Sequence, residues 1–267
     1  MNDIWSTVRG GQILEGEVVI DCHTHMGPWF NFSIPQDPWA EGIITALDTC
    51  GIQKVICAPH VGIVQDAPWG NEIIAAVVRR YPERFVGYCT VNPNYPEDEM
   101  VGEMEKHIIH GNLKGIKIHP ATHLYPADGP HYRPMWEFAN EHALPVLVHT
   151  WESAKECDPR MFIGIGREFQ EVKILLGHSG ATAKGVDQAV EAATQCENLY
   201  LDLTSSILLK GMLEVMVKAV GAGRVLFGTD VPFLDCRGKI GYISIARISD
   251  DEKRKILGLN ATQLFKL

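Results

Sequence analysis

Three observations predict that this chain folds as a single (β/α)₈ barrel. Eight short apolar runs, rich in β-branched residues, recur at spacings of roughly 25–35 residues, as expected for parallel strands buried on both faces. Amphipathic helical patterns separate these runs, so strand and helix alternate throughout the chain. A barrel of this kind takes about 250 residues, and the chain has 267. We therefore predict one domain over residues 1–267.

The predicted elements follow one another in the order that a barrel requires. Strands are expected near residues 18–22, 54–58, 85–90, 115–118, 145–148, 173–177, 199–203 and 224–228. Helices are expected near residues 38–50, 71–81, 97–110, 132–142, 159–170, 185–196 and 210–220, with an eighth within 238–249. The segment from Asp250 to Phe265 is predicted to form two short helices, the second capped by Asn260. An open sheet is disfavoured because the first strand runs into His-Thr-His instead of a glycine-rich phosphate turn.

Composition narrows the class of protein. Hydrophobic residues make up 46% of the chain, so disorder is not expected. The 24 basic and 33 acidic residues give a net charge of −9, which argues against a nucleic-acid partner. The seven cysteines form no C-x-x-C pair and indicate buried thiols in a reducing compartment. Neither a signal peptide nor a membrane span is visible, so we expect a cytoplasmic protein without a membrane partner.

Metal-ligand residue types occur where five of the apolar runs stop. These positions are His23 and His25, His119, His149, His178 and Asp230. Histidine is uncommon inside strands, and parallel barrels build their active sites at the carboxyl ends of their strands. Imidazole and carboxylate are also the groups that bind transition metals. The pattern therefore predicts a metal-dependent enzyme acting on a small molecule.

The strongest local signal is the pair His23 and His25. Residues two apart in a strand face the same way, so both imidazoles can bind one ion, with Zn–N bonds near ~2.0–2.1 Å. The alternative is a pair of structural histidines, which is disfavoured because two adjacent buried imidazoles need several hydrogen-bond partners. His149 or His178 alone has an even chance of a structural role. Their shared position on one barrel rim favours a role in the site.

The order of these residues resembles the amidohydrolase superfamily. Its members carry His-x-His after the first strand, histidines after the fifth and sixth, and aspartate after the eighth. Within it, the chain is most similar to the branch that contains aminocarboxymuconate-semialdehyde decarboxylase and many short hydrolases. Three further runs carry the resemblance: residues 115–120 (Gly-Ile-Lys-Ile-His-Pro), 177–180 (Gly-His-Ser-Gly) and 258–265. Together the motifs extend from about residue 18 to residue 265.

The resemblance implies a TIM barrel and a role for each strand-end residue. His23, His25, His149 and Asp230 would bind one divalent metal ion, which we expect to be zinc. His178 would be the catalytic histidine, and Asp230 would also move a proton. A metal lowers the pKa of bound water toward ~7. The expected function is therefore a metal-dependent hydrolase that cleaves an amide, lactone or ester.

Two alternatives remain open from the sequence. The same residues fit a non-oxidative decarboxylase of a hydroxybenzoate-like or muconate-like acid. A metal-binding barrel without turnover is less favoured, because His178 and Asp230 are both intact.

The substrate side of the site is less defined. Lys117 faces inward on the fourth strand, where some amidohydrolases carry a carboxylated lysine between two metals. We expect instead one metal and an unmodified lysine, paired with a buried carboxylate or contacting the substrate. His119 is predicted to contact the substrate or to pack in its loop, while Trp29 and Trp151 form pocket walls. A homodimer is expected only because it is the commonest assembly.

Overall fold

The computed structural model describes residues 3–205 and 209–267. In this part of the chain, eight parallel strands form one sheet and pair in chain order. The strands are β1 Ile20–Met26, β2 Lys54–Pro59, β3 Phe85–Thr90, β4 Gly115–Ile118, β5 Pro145–His149, β6 Lys173–Gly177, β7 Leu199–Asp202 and β8 Val225–Leu226.

Backbone hydrogen bonds between β1 and the segment around β8 join the two ends of the sheet. The amide of Cys22 donates to the carbonyl of Phe227 (2.9 Å), and the amide of His25 donates to that of Val231 (2.8 Å). The sheet thus forms a nearly closed barrel with helices between its strands, and the prediction of a (β/α)₈ fold is confirmed.

The helices lie between the strands and after the last of them. They are α1 Ile4–Arg9, α2 Ala40–Cys50, α3 His60–Val64, α4 Ala67–Arg80, α5 Glu97–Met104, α6 Pro120–His123, α7 Arg133–Glu141, α8 Phe162–Glu168, α9 Ala183–Gln195, α10 Met212–Val220, α11 Cys236–Ile245, α12 Asp250–Arg254 and α13 Asn260–Phe265. Short 3₁₀ turns cover Pro130–Tyr132, Pro159–Met161, His178–Gly180 and Ala222–Arg224, and π turns cover Glu105–Ile109 and Lys255–Leu259. The sequence patterns missed α1, α3 and α6, which are each six residues or shorter and hold too few residues to show helical periodicity.

Strand β1 differs from its prediction in a way that matters for the site. It continues to Met26, so His23 and His25 lie within the strand and not beyond its end. Its pairing with β2 also shifts register between Asp21 and Thr24. A shift of this kind interrupts the strict alternation of faces, which is the rule that predicted His23 and His25 on one face.

The structure of the carboxyl-terminal segment also differs from its prediction. Residues 250–265 form one continuous helical run, because a π turn joins α12 to α13. Ser249 caps this run through a capping box with Glu252. Asn260 caps nothing: its side-chain amide donates to the carbonyls of Ala222 (2.7 Å) and Val225 (2.8 Å). This asparagine therefore ties the last helix to the start of β8.

An apolar cluster fills the barrel beneath the polar rim. It includes Ile56, Val86, Leu147 and Leu175 from four strands, and α13 closes it through Phe265. A second, larger cluster lies between the strands and the surrounding helices. Because side chains alternate along each strand, the strands are buried on both faces, as their apolar runs indicated. Among the described residues, no helix is both long and apolar enough to cross a membrane.

Candidate metal centre and active site

Two histidines of β1 and one aspartate form the core of the site. The ligand atoms of His23, His25 and Asp230 all lie within 4.8 Å of one another, and all three residues are buried in the barrel. Oδ1 of Asp230 is 3.4 Å from Nε2 of His25 and 4.0 Å from Nε2 of His23. Ligands of a tetrahedral zinc ion are about 3.3 Å apart, given metal–ligand bonds of about 2.0–2.1 Å. The donor set and its spacing therefore fit one divalent cation.

Asp230 reaches this position through an unusual backbone conformation. It follows β8 with a φ of 68°, in the left-handed region that few residues other than glycine adopt. Its amide donates to the carbonyl of His23 (2.9 Å), which fixes the carboxylate next to β1. Backbone strain of this kind is concentrated at functional sites.

Hydrogen bonds fix the rings of both β1 histidines. Nδ1 of His23 lies 2.6 Å from Oδ2 of Asp202, and Nδ1 of His25 donates to the carbonyl of Ala58 (3.0 Å). With Nδ1 as the donor, each ring keeps its lone pair on Nε2. Such outer partners orient ligand imidazoles and select their tautomer. Both β1 histidines are therefore prepared to bind a cation through Nε2.

Asp202 is a residue of the candidate site that the sequence analysis missed. It ends β7 and is fully buried. Its Oδ1 accepts hydrogen bonds from the amide (3.0 Å) and hydroxyl (2.9 Å) of Thr204, while its Oδ2 also accepts the amide of His178 (3.1 Å). The signal was available, because Leu199–Asp202 is a further apolar run that stops at a carboxylate.

Asp21, in contrast, does not contact a ligand imidazole. Its Oδ1 accepts hydrogen bonds from the amides of His23 and Thr229, at 3.1 Å each, and its other oxygen accepts the hydroxyl of Thr229. Burial raises the pKa of Asp21 to about 8. This carboxyl group therefore links the backbone of β1 to the segment that follows β8.

Lys117 lies next to a predicted ligand atom. Its Nζ is 3.0 Å from Nε2 of His23, and the side chain is completely buried. Burial lowers its pKa to about 8, and the nearby carboxylates of Asp230 and Asp202 oppose this shift. The lysine thus contacts an imidazole and not the buried carboxylate that we expected as its ion-pair partner.

His149, predicted as the third histidine ligand, lies outside the group of His23, His25 and Asp230. Its ring stacks on His119 with centroids 3.8 Å apart, and on Trp151 at 5.7 Å. Among the hydrogen bonds of the described residues, none involves a ring nitrogen of His149. Nδ1 of His119, by contrast, accepts the amide of Thr122 (3.3 Å) and caps α6.

His178 lies between these two groups of histidines. Its ring centroid is 4.8 Å from that of His23 and 4.6 Å from that of His149. Nδ1 donates to the carbonyl of Thr204 (3.1 Å), so Nε2 keeps a free lone pair. Burial lowers the pKa of His178 to about 4. The side chain is therefore a neutral hydrogen-bond acceptor at pH 7.

A cavity of about 430 Å³ opens over these residues, within the range typical of small-molecule sites. Its polar lining includes His25, His119, His149, His178 and Asp230. Its apolar walls include Trp29, Phe32, Trp151 and Phe233. The cavity thus contains every predicted site residue except His23 and Lys117, which lie behind this layer.

Burial controls the charge of the site. It lowers the pKa of His23, His25 and His149, and the nearby charge of Lys117 acts in the same direction. Neutral imidazoles are the form that binds metals. Burial raises the pKa of Asp230 to about 7, against the opposing effect of Lys117.

The fold and the site together define a metal-binding (β/α)₈-barrel enzyme. Residues 20–267 match the model of the Amidohydrolase family, and the chain belongs to that family.

Relatives that match most of the chain are decarboxylases. The chain is 24% identical over 284 residues to the gamma-resorcylate decarboxylase of a Polaromonas species, covering 84% of this chain and 86% of the relative. It is also similar to 5-carboxyvanillate decarboxylase from Novosphingobium aromaticivorans, solved with manganese and 4-hydroxy-3-methoxy-5-nitrobenzoic acid. That likeness has a TM-score of 0.75 at 18% identity and covers 95% of this chain and 97% of that one. A Polaromonas dihydroxybenzoic acid decarboxylase with manganese and 2-nitroresorcinol gives a TM-score of 0.73 at 18% identity, covering 94% and 97%.

These findings correct the predicted reaction. The expectation of a hydrolase is wrong, because relatives that match more than four fifths of the chain are decarboxylases. The error has a chemical cause: histidine and aspartate ligands at a barrel rim serve both reactions, and only the group held beside the metal differs. A divalent metal is supported by the cluster of His23, His25 and Asp230.

Proposed function

We propose that this protein is a metal-dependent, non-oxidative decarboxylase of a small hydroxylated aromatic acid. One observation carries the proposal: a cation-binding group of two imidazoles and a carboxylate lies in an aromatic-walled cavity, together with a neutral histidine acceptor. The decarboxylases among its relatives support the reaction type.

His23, His25 and Asp230 are the proposed metal ligands. His149 is proposed as the fourth, because its ring borders the same cavity and none of the hydrogen bonds of the described residues involves its ring nitrogens. Two or three imidazoles favour zinc, whereas carboxylate and water ligands suit manganese. We propose zinc, with manganese as the alternative that the neighbours suggest. A bound divalent cation would hold the carboxylate and hydroxyl oxygens of the acid and stabilise their negative charge.

His178 is proposed as the residue that activates the ring. Its Nε2 lone pair can accept the proton of the substrate hydroxyl, because Nδ1 already donates to Thr204. Removal of that proton increases the electron density of the ring at the carbon that bears the carboxylate. General-base assistance of this kind contributes about 10²–10⁴-fold to rate.

Asp230 is proposed to deliver the proton that replaces carbon dioxide. Its carboxyl group transfers a proton to the ring carbon, the carbon–carboxylate bond breaks, and the electron pair of that bond restores the aromatic ring. His178 then returns the hydroxyl proton to the phenolate oxygen, so the products are a phenol and carbon dioxide, and the Asp230 carboxylate takes up a proton from water before the next cycle. Because the carboxylate lies in the polar floor of the cavity, it is on the side from which a bound ring would be protonated.

The aromatic walls are proposed to orient the ring and exclude water. Trp29 and Trp151 line the cavity, and Trp151 is parallel to the His149 ring within 9°. His119 completes this stack from the other side of His149. A flat, rigid acid fits between such surfaces with little loss of conformational freedom.

The test is to incubate the metal-loaded protein with hydroxybenzoates and to measure carbon dioxide together with the phenol product. Suitable acids are 2,6-dihydroxybenzoate and 5-carboxyvanillate, with a muconate-type dicarboxylate as the flexible comparison. We expect equal amounts of carbon dioxide and phenol from at least one hydroxybenzoate, and little from the flexible acid. The proposal would be contradicted if fully metal-loaded protein released carbon dioxide from none of these acids.

A further inference from the structure

Lys117 occupies the ligand side of His23. Nδ1 of His23 donates a hydrogen bond to Oδ2 of Asp202 over 2.6 Å. The lone pair of the ring is therefore on Nε2, and the Nζ of Lys117 lies 3.0 Å from this atom. Because Lys117 can only donate, it uses the lone pair with which His23 would bind a metal.

One lone pair cannot serve both an ammonium group and a metal ion. A second cation also meets electrostatic repulsion from an ammonium group at such short range, and burial strengthens this repulsion. Lys117 is fully buried, so water does not screen its charge. Metal binding at His23 therefore requires the Nζ of Lys117 to move away from the imidazole.

We propose that Lys117 sets the metal affinity of this site by competing with the cation for Nε2 of His23. The inference rests on the metal site of the proposed function but not on decarboxylation. Lys117 is a positioning residue in this account, because it acts through His23 and does not line the substrate cavity. The opposite arrangement, in which a modified lysine binds the metal, makes the opposite prediction for the same variant.

Lys239 provides a matched control. It is also a buried lysine, and the carboxylates of Asp202 and Asp230 are among its nearby charges. It lies on α11, and its Nζ is 5.9 Å from the centre of the Tyr242 ring. Among the hydrogen bonds of the described residues, none joins Lys239 to a proposed ligand. The two lysines thus have the same charge and similar burial, and the main difference between them is that Lys117 contacts His23.

The experiment compares Lys117→Met and Lys239→Met with the wild type in titrations with Zn²⁺ and Mn²⁺ at one pH. Calorimetry, with a competing chelator for zinc, gives the dissociation constant and the number of ions per chain. We expect Lys117→Met to bind metal at least about tenfold more tightly, a change of the size that outer partners of metal ligands produce. Lys239→Met should change affinity by less than about threefold.

Two results would overturn the proposal. Weaker binding by Lys117→Met would show that the lysine is itself a ligand, and an equal gain in both variants would show that net charge alone sets the affinity. Lys117→Gln, which is neutral but keeps a donor, replaces Lys117→Met should the latter not fold; it should tighten binding by a smaller factor, and unchanged or weaker binding would contradict the proposal. Carbon dioxide release is measured separately, so a failure of decarboxylation leaves the affinity result intact.

Discussion

The β1 side and the β5 side of the cavity hold their histidines in different ways. On β1, the Nδ1 atoms of His23 and His25 are both hydrogen-bonded, to Asp202 and to the carbonyl of Ala58. On β5, the contacts of the His149 ring among the described residues are with other rings, those of His119, Trp151 and His178. Rings held by hydrogen bonds have one orientation and one tautomer, whereas a stacked ring can turn about its own plane. The imidazoles of the first side are thus preoriented for a cation, although Lys117 contacts Nε2 of His23, and the ring of the second side is adjustable.

Because of this difference, we expect the histidines on β1 and the histidine on β5 to have different roles. Preorganised ligands bind a cation without a cost in ordering. A ligand held only by stacking can join the metal or leave it as the substrate arrives. We therefore expect β1 to determine whether the metal binds, and β5 to determine how the bound metal meets the acid.

The largest expected effect comes from removing the preorganised pair. The double variant His23→Ala, His25→Ala should lose the metal and, with it, all measurable decarboxylation, because two of the three clustered ligands are gone. His149→Ala should keep most of its metal under the same conditions. Metal content by mass spectrometry after dialysis is the measurement, and the exposed His110→Ala variant is the control. Full metal content in the double variant would show that the site has been assigned to the wrong residues.

The next effect distinguishes ligands from the residues that move protons. Asp230→Asn should retain part of the metal, and His178→Asn should retain all of it, while turnover falls about 10²–10⁴-fold in each. Rates are compared at equal metal occupancy, so that loss of metal is not mistaken for loss of chemistry. If His178→Asn loses its metal and His149→Asn does not, the roles of ligand and catalyst have been exchanged between these two histidines.

A smaller effect tests the hydrogen bond that orients His23. Asp202→Asn should weaken metal binding about 10–100-fold, as observed for outer partners of ligand histidines. Asp21→Asn is the matched variant, because Asp21 is equally buried but bonds only backbone and hydroxyl groups. It should lower thermal stability and leave metal affinity nearly unchanged. Equal losses of affinity in both variants would mean that His23 needs no specific partner.

The barrel could be predicted from the sequence because the evidence for a barrel is local. Strand length, apolar content and the alternation with helices are read from neighbouring residues. The cluster of His23, His25 and Asp230 was also within reach, because every parallel strand ends on the same rim. Asp202 was not recognised although its apolar run also stops at a carboxylate, and its hydrogen bond to His23 could not be read from that run alone. The reaction type was misjudged because the two chemistries use the same side chains.

The position of Lys117 shows a second limit of the sequence. Alternation along β4 predicted that this lysine faces inward, and it is indeed buried. Its partner could not be predicted, because the shift of register within β1 decides which β1 side chain lies opposite. Sequence alone therefore placed the charge in the barrel but not on the ligand atom of His23.

The smallest expected effect concerns His123, a histidine that is fixed on both sides and lies outside the cavity. Its Nε2 donates to the carbonyl of Ile63 (3.0 Å), and its Nδ1 accepts the hydroxyl of Tyr132. Burial lowers the pKa of His123 from 6.5 to about 4. Between pH 6.5 and pH 4, His123 is therefore protonated in the unfolded chain but not in the folded chain. The corresponding stability is present above pH 6.5 and is lost as the pH falls toward 4.

For one such group, the free energy of unfolding should fall by about 1 kcal/mol between pH 7 and pH 5.5. Urea unfolding of the chelator-treated protein at these two pH values measures the change, and His123→Gln should reduce it by that amount. The same variant should bind metal as the wild type does, because its ring has no contact with His23, His25 or Asp230. A change in metal affinity would show that a histidine with hydrogen bonds at both ring nitrogens can still affect the metal site. Hydrogen bonding would then not explain the difference between the β1 and β5 sides.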